Sequence, residues 1–546
     1  MWPTLGIRRP GRRNPSKCEK ARTSGTPLSA HFNHEGNLIW VFPRRIGGAA
    51  VYFICSAIAF AAGLPAVGPD YHGPPDVETP AAFKTAPAWK KAEPSDSAGR
   101  GAWWSVFRDP VLDRIETQAV SANQDIALAV DRLDELRSEV RVAAADFLPN
   151  IDAEPDAIRQ RPTNTAPYQR GELLGNNPFA VPGAGAGAGL PASSNQPVIL
   201  DTQALSRTYN VFNFPVDLNW ELDLFGRVRR NREAAHASAQ AAAADVNNTL
   251  LSVTANVAQT YYEIRALDGE IGVLERTIAT RQDALGIAQE RLNAGVADEL
   301  DVRRAQADLA GDQADLFAVQ RSRAEMENAL ATLLGLPASD FRLARRALID
   351  TRIPNIPAGL PSALLERRPD VAGAERELAA ANAKVGVAVA AFFPVIKLTG
   401  AAGFESADTG DLFDWQSRVW QLGPSITFPI FEGGRNAANL RAAQARYREQ
   451  VDTYREQLLI AFQDVENALA DLHTLSDQSD AQERAVTAAV KSLELSQTQY
   501  GKGASNFLDV LDAERTLLAD ERTSVQLLGQ RLQDTVLLIK ALGGTW

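Results

Sequence analysis

The chain contains two copies of one sequence pattern, and this duplication limits its possible folds more than any other feature. Gly295 and Gly503 are 503 − 295 = 208 positions apart, and each is followed after four residues by Leu-Asp-Val. The residues around them, 291–302 and 499–510, therefore match each other. A fold built from two similar halves is the simplest explanation.

The duplication extends upstream, where the two copies differ in length. Pro149 and Pro394 occupy matching places 394 − 149 = 245 positions apart, whereas Phe225 and Phe431 are 431 − 225 = 206 apart. The first copy therefore holds 245 − 206 = 39 extra residues between these landmarks. The extra length predicts a loop, and the Gly-, Pro- and Ala-rich residues 178–197 fall within it.

Two long segments without proline predict very long helices. Residues 216–336 and 430–546 contain no proline, the residue that breaks helix interiors. From residue 246 to residue 292, apolar residues recur in alternating steps of four and three, interrupted only by Thr260 and Arg281. A repeat of 3.5 residues predicts left-handed supercoiling against neighbouring helices.

Each copy is predicted to form a helical hairpin. The first long helix is expected from about Gly226 to Asn293, a length of roughly 100 Å at 1.5 Å per residue. The second copy repeats the apolar row from Val451 onward. Gly295 and Gly503 then predict tight reversals, after which apolar residues predict a returning helix in each copy.

Four segments alternate apolar and polar residues with a period of two, which predicts strands. They span about residues 149–158, 209–223, 394–404 and 419–431. Strands of about 11 residues are long enough to cross a bilayer when tilted. A soluble β-sandwich would show the same alternation.

The number of strands favours a membrane barrel made by several chains. Four strands are too few to close a barrel, and open sheet edges do not occur in lipid. Three chains would supply twelve strands, an even number within the range of such barrels. The sequence therefore predicts a homotrimeric conduit.

The start of the chain is predicted to be a leader that contains a signal peptide. Residues 46–62 are uncharged, follow Arg44-Arg45 and contain a small-x-small cleavage box at Ala59-Phe60-Ala61. A signal anchor is the alternative, but 17 residues are short for a spanning helix. Both cysteines lie in this leader, so the mature chain is expected to form no disulfide.

The charge of the chain argues against nucleic acid as a partner. The chain carries a net charge of −11, and its first 45 residues carry +7, so the remainder carries −11 − 7 = −18. Binding to phosphate backbones requires positive charge.

Four motifs, in this order along the chain, resemble those of the TolC-like outer-membrane factors of tripartite efflux systems, in the OprM/NodT branch. The resemblance extends from about Ala66 to Gly543. The motifs are Ala-Val-Gly-Pro-Asp-Tyr at 66–71, Asn-Trp-Glu-Leu-Asp-Leu-Phe-Gly-Arg at 219–227, Arg-Arg-Pro-Asp-Val at 367–371 and Ala-Phe-Phe-Pro at 391–394.

The resemblance implies an α+β membrane protein with a trimeric, twelve-stranded transmembrane β-barrel, four strands per chain, continued by a long periplasmic α-helical barrel. Its segments would be a leader (1–61), an N-terminal equatorial segment (62–122), a first repeat (123–336), an equatorial linker (337–361) and a second repeat (362–543). Members commonly have a lipidated cysteine before the first motif. Pro65 stands at that place, so we expect the barrel and its outer-membrane lipid contacts to hold the protein.

The implied function is that of a passive outer-membrane exit channel in a Gram-negative bacterium. The channel would receive small molecules such as drugs, toxic compounds or metal ions from a periplasmic adaptor and an inner-membrane transporter of the RND type. The exit duct of a type I protein secretion system is the alternative.

The resemblance also assigns roles at the two helical tips. Asp509 and Asp512 would form an aspartate ring at the periplasmic gate, which would attract cations and weaken at low pH. Asp301 and Tyr500 would latch the gate, although Ser505 replaces the family's arginine, for which Arg303 or Arg304 could substitute. These acids could instead simply solvate a helix start. The residues expected to dock the adaptor are Ala294, Gly295, Val296, Lys502, Gly503 and Ala504.

Neither catalysis nor a metal or cofactor site is predicted. The five histidines are scattered, and no spacing suggests a metal-ligand cluster or a catalytic triad. A coiled-coil scaffold is a second alternative to a channel, but it leaves the alternating strands and the duplication unexplained. The histidines are His31, His34, His72, His236 and His473.

Overall fold

The computed structural model describes residues 30–32, 38–40, 66–74, 101–161, 208–295, 298–346, 348, 353–354 and 368–544. The chain divides into two units, Met1–Gly63 and Leu64–Trp546. In the first unit, strands β1 (Ala30–Phe32) and β2 (Leu38–Trp40) pair antiparallel. The predicted signal segment 46–62 and the predicted loop 178–197 lie outside the described residues.

The described part of the second unit contains seven α-helices. The two long ones are 67 residues each, and the predicted helix from about Gly226 to Asn293 is confirmed. The helices are α1 (Pro110–Ala122), α2 (Gln124–Ala145), α3 (Arg227–Asn293), α4 (Glu299–Leu333), α5 (Pro369–Ala390), α6 (Arg435–Gly501) and α7 (Phe507–Ala541).

Matching helices of the two copies have equal lengths. Helices α2 and α5 have 22 residues each, and α4 and α7 have 35 each. Their starts are separated by the sequence offsets, since 369 − 124 = 245 and 507 − 299 = 208. The duplication of sequence is therefore a duplication of structure.

The helices of the two hairpins pack in a fixed order. Helix α3 contacts both α4 and α7, and α7 contacts α6. The order α4-α3-α7-α6 leaves α4 and α6 at the two edges. The first hairpin, α3 and α4, therefore meets the second hairpin, α6 and α7, mainly through α3 and α7.

Strands form one antiparallel sheet in the second unit. It contains β3 (Asn150–Ala153), β4 (Asp156–Gln160), β5 (Tyr209–Leu222), β6 (Val395–Ser406) and β7 (Arg418–Thr427). Strands β3 and β4 both pair with β5, β5 pairs with β6, and β6 pairs with β7.

Two predicted strand boundaries are wrong, and prolines explain both. The strand expected at 149–158 is divided at Glu154-Pro155, because proline has no N–H to donate to the ladder. The strand expected to reach residue 431 ends at Thr427, which pairs with Val395, the first residue after Pro394. The ladder therefore ends where its partner strand begins.

The register places the apolar residues of neighbouring strands together. Leu218 is opposite both Ile151 and Gly400, and Gly400 is opposite Leu422. The polar residues between them pair in the same way, as Asn219 does with Thr399. One face of the sheet is therefore mainly apolar and the other mainly polar, except at β4, where Ile158 is opposite Val211 on the polar face.

The Asn-Trp-Glu-Leu-Asp-Leu-Phe-Gly-Arg motif at residues 219–227 positions the start of α3. The Asp223 carboxylate accepts hydrogen bonds from the N–H groups of Val228 (3.1 Å) and Arg229 (2.9 Å). Such a cap satisfies N–H groups that a helix start leaves unpaired. Trp220 donates to the Phe147 carbonyl at 2.9 Å, which joins β5 to the turn that follows α2.

The first motif, at residues 66–71, also has a structural role. Val67 donates its N–H to the Phe225 carbonyl at 3.0 Å, and Asp70 pairs with Arg230 at 2.5 Å. Asn382 of α5 donates to the Pro69 carbonyl at 3.1 Å. The segment therefore ties the start of α3 to α5.

Candidate channel mouth at the helical tips

Each helical hairpin turns at a glycine with a left-handed backbone. Gly295 and Gly503 both have φ of 72°, a conformation that favours glycine because it has no Cβ. At the second tip, Gly503 donates to the Tyr500 carbonyl at 3.0 Å and Ala504 donates to the Gln499 carbonyl at 2.9 Å. These two bonds form a Schellman motif, which satisfies the last carbonyls of α6.

The residues predicted to dock an adaptor lie at the exposed ends of these turns. Ala294 and Gly295 are exposed at the first tip, and Lys502, Gly503 and Ala504 are exposed at the second. Val296 lies outside the described residues. The five described residues are therefore accessible in the single chain.

An apolar cluster joins the helices behind the tips. Phe507, Val510 and Leu511 of α7 are buried against Ala305 of α4, with Tyr500 packed beside them. Burial of apolar surface stabilises this arrangement by about 25 cal/mol for each Å² that is removed from water. The cluster holds the first and second tips together.

Asp509 and Asp512 are exposed on one side of the first turns of α7, three residues apart. Asp509 also takes part in a capping box, in which its carboxylate accepts from the Asn506 N–H at 3.3 Å and its own N–H donates to the Asn506 side chain at 3.0 Å. Asp509 therefore has a local role in starting α7, and its charge still faces solvent.

Tyr500 contacts the first tip through an arginine that the sequence did not single out. The guanidinium of Arg291 lies 4.5 Å from the centre of the Tyr500 ring, and the Phe507 ring lies 5.3 Å from it. A cation placed over an aromatic face in this way is attracted to it. Arg291 belongs to the first hairpin, so this contact crosses between the two tips.

The other predicted latch residues make different contacts. Among the described residues, no hydrogen bond joins Asp301 to Tyr500. Arg303 pairs with Glu299 of its own helix at 3.0 Å and is exposed, rather than reaching the second tip. The half-buried Ser505 hydroxyl has no hydrogen-bond partner in the described part of the chain.

The described residues contain neither a metal-ligand cluster nor a membrane-spanning helix. No group of three or more His, Cys, Asp or Glu residues there could hold a metal ion. None of the helices described is both long enough and apolar enough to cross a membrane.

Comparison with known proteins identifies the family. The family model described as outer membrane efflux protein matches residues 117–336 and 360–544. The chain is 33% identical over 496 residues to the antibiotic efflux pump outer membrane protein ArpC of Pseudomonas putida, covering 89% of this chain and 94% of ArpC. It is 29% identical over 497 residues to the cation efflux system protein CusC of Escherichia coli K12, covering 90% and 99%.

Solved structures of outer-membrane channels have a similar fold. The outer-membrane channel OprN matches with a TM-score of 0.73 and 28% identity, covering 88% of this chain and 99% of OprN. The open state of the Neisseria gonorrhoeae channel MtrE matches with a TM-score of 0.71 and 31% identity, covering 88% and 98%. The chain therefore belongs to the outer membrane efflux protein family, whose non-enzymatic channels lie in the outer membrane of Gram-negative bacteria and serve as the exits of efflux pumps.

Proposed function

We propose that three copies of this chain form one twelve-stranded barrel and one helical barrel, and that together they act as the passive exit duct of a tripartite pump. The cargo would be small molecules, and a periplasmic adaptor together with an inner-membrane transporter of the RND type would deliver it. ArpC and CusC, to which the chain is similar, are named for antibiotic and cation efflux. The substrate of this chain belongs to the same broad class.

The observation that carries the proposal is the sheet with two open edges. Among the described residues, β7 pairs only with β6, and β3 and β4 pair only with β5. Unpaired backbone groups in hydrocarbon cost several kcal/mol each, so a sheet in lipid must close. An edge of β7 that pairs with β3 and β4 of the next copy would close it after three chains.

The two-faced register supports an aqueous interior. The apolar face, which carries exposed side chains such as Trp420 and Leu422, suits lipid. The polar face suits water, as in barrels that enclose a channel. A duct through which small polar molecules pass requires this arrangement.

The residues at the helical tips support the proposal of a gate at the periplasmic end of the channel. Asp509 and Asp512 would meet their copies around the threefold axis and form a ring of six carboxylates that attracts cations. Asp301 and Tyr500 would latch the ring closed, with Arg291 on the Tyr500 ring in place of the family's arginine. Adaptor docking would involve the exposed residues of the two glycine turns.

Conductance of purified trimers in planar bilayers tests this function. Tyr500→Ala removes the ring between Arg291 and Phe507, and Asp301→Ala removes the proposed latch carboxylate, so both variants should conduct more than the wild type. Tyr447→Ala, a tyrosine replacement high on α6 and far from the tip, is the matched control. Wild-type protein without any pore activity would refute the channel, and unchanged conductance in both variants would refute the latch.

The alternative function is export of proteins in a type I secretion system, and it differs from the proposed function in the cargo. The family relatives named above serve efflux pumps, which favours small molecules. Deletion of the gene should therefore increase the sensitivity of the bacterium to small toxic compounds. Loss of a secreted protein without such sensitivity would favour the alternative.

A further inference from the structure

A group of charged residues lies between the two hairpins, above the tips, and all of its side chains except the exposed Arg515 are largely buried. Arg281 of α3 is only 3% exposed, and its Nε lies 2.9 Å from Asp312 Oδ2 and 3.9 Å from Glu514 Oε2. Arg515 of α7 donates to Asp308 at 2.6 Å, and the other Asp308 oxygen lies 3.9 Å from Arg281. We refer to Arg281, Asp308, Asp312, Glu514 and Arg515 as the Arg281 cluster.

The position of the cluster lets it act on the tips. Arg281 is twelve residues before Asn293, where α3 ends, so it lies about 18 Å from the first tip. Its partners Asp312 and Glu514 belong to α4 and α7. The cluster therefore joins both helices of the first hairpin to the second hairpin.

The cluster contains more negative than positive charge. Three carboxylates, from Asp308, Asp312 and Glu514, face the guanidinium groups of Arg281 and Arg515. Neither carboxylate oxygen of Glu514 has a hydrogen-bond partner among the described residues, and Arg281 Nε and Asp312 Oδ2 are close without hydrogen-bond alignment. Buried groups in this state are costly.

Packing of the long helices does not require an arginine at this place. In the second copy, the position that matches Arg281 is 281 + 208 = 489, and Ala489 is buried there at 6% exposure. An apolar residue therefore fits the same point of the repeat. The charge at Arg281 calls for an explanation other than the stability of the hairpin.

A second set of ion pairs and a close helix contact lie farther from the tips. Arg522 of α7 pairs with Glu270 of α3 at 2.6 Å and with Asp315 of α4 at 2.9 Å. Above them, a Cβ added at Gly529 would lie 2.6 Å from the Cβ of Ala266, so α3 and α7 touch there almost backbone to backbone. Small-residue packing brings α3 and α7 closest at the upper contact, whereas below it ion pairs are added to apolar contacts such as that of Leu274 with Leu518.

We propose that Arg281 is a positioning residue of the periplasmic mouth, which holds the first hairpin against α7 and so keeps the two tips together. This inference rests on the proposed function, because it assumes that the tips form the gate. Separation of the hairpins below the close contact would expose Glu514 and Asp312 to water. The incomplete pairing of the cluster makes its hold reversible, as a gate requires.

Burial and neighbouring charges determine how the cluster responds to pH. Burial raises the pKa of Glu514, and repulsion from Asp308 and Asp312 adds to this effect, while Arg281 opposes it. On α6, which also packs on α7, Lys491 pairs with Glu494 of its own helix at 2.7 Å.

The pKa of Asp312 is raised in the same way as that of Glu514. Burial raises its pKa, Asp308 and Asp315 add to the increase, and Arg281 and Arg522 oppose it. Since both pKa values are raised only while the hairpins are together, protons bind that arrangement more tightly than the separated one. Acidification toward the ordinary pKa range of carboxyl groups should therefore favour the closed mouth through these two groups.

The test is the conductance of trimers that carry Arg281→Met. This change leaves three buried carboxylates with one remaining guanidinium, so the fraction of time that the pore is open should rise about tenfold or more. Arg276→Met is the matched control, because Arg276 lies on the same helix, is 65% exposed and pairs with Glu521 only at 3.6 Å. The control should conduct like the wild type.

Two further variants separate positioning from general damage to the fold. Glu514→Gln removes one excess carboxylate, so the double variant Arg281→Met/Glu514→Gln should conduct less than Arg281→Met alone. The single variant Glu514→Gln tests the inference even if Arg281→Met does not assemble, because it should respond less to acidification than the wild type. Equal conductance of Arg281→Met and Arg276→Met, or an unaltered pH response in Glu514→Gln, would overturn the inference.

Failure of this inference can be distinguished from failure of the proposed function. Wild-type trimers without any pore would refute the channel itself. Pores that open in Tyr500→Ala and remain closed in Arg281→Met would refute only the role of Arg281.

Discussion

Replacement of Gly503 by alanine at the second tip should loosen that tip, while replacement of Gly501 should tighten it. Gly503 has φ of 72°, and an alanine in the left-handed region costs about 1–2 kcal/mol. Gly501 is the last residue of α6, and an added Cβ would meet nothing within 4 Å. Alanine is favoured over glycine in a helix by about 1 kcal/mol, so the two variants should differ by about 2–3 kcal/mol in local stability.

Hydrogen–deuterium exchange of detergent-solubilised trimers measures this difference, in peptides that cover residues 495–510. Because 1.4 kcal/mol corresponds to a factor of about ten in an opening equilibrium, Gly503→Ala should exchange about tenfold faster there than the wild type, and Gly501→Ala more slowly. Peptides from the first tip serve as the internal reference. Equal exchange in the two variants, or slower exchange in Gly503→Ala, would refute the account of the turn.

Two further predictions concern charge. Asp509→Asn combined with Asp512→Asn should abolish block of the pore by multivalent cations while α7 still forms, because an asparagine oxygen can accept from the Asn506 N–H as the carboxylate does; persistent block in bilayer recordings would place the cation site elsewhere. Glu116 of α1 is fully buried, and burial raises its pKa to about 9, with repulsion from Asp113 adding to it. A raised pKa gives stability that is complete below the ordinary value near 4.5 and is lost as the pH rises toward 9, by up to about 1.4 kcal/mol per pH unit. Glu116→Gln should therefore gain stability relative to the wild type between pH 5 and pH 8 in chemical unfolding, and a difference that does not change with pH would contradict this reasoning.

The sequence predicted the helices and strands well because their periods extend over long segments. A heptad row of apolar residues requires a continuous helix, and α3 begins and ends within one residue of the expected bounds. The strands were recognisable from their alternation. The two errors in their bounds arose at Pro155 and near Pro394, where a missing N–H interrupts the ladder.

The contacts at the mouth were less predictable, because they join residues far apart in the chain. Arg291 and Tyr500 are separated by 500 − 291 = 209 positions, and no local pattern marks an arginine that stacks on a distant ring. The Asn506 to Asp509 spacing could have indicated the capping box. Arg281 stood out in the sequence only as a break in the apolar row, and its carboxylate partners became apparent from the packing of α3, α4 and α7.

The number of chains in the particle tests the central claim most directly. Native mass spectrometry of protein extracted from the outer membrane in detergent should give three copies, because four strands per chain cannot close a barrel and open edges do not persist in lipid. Particles of a single chain that remain monodisperse in buffer without detergent would contradict the account.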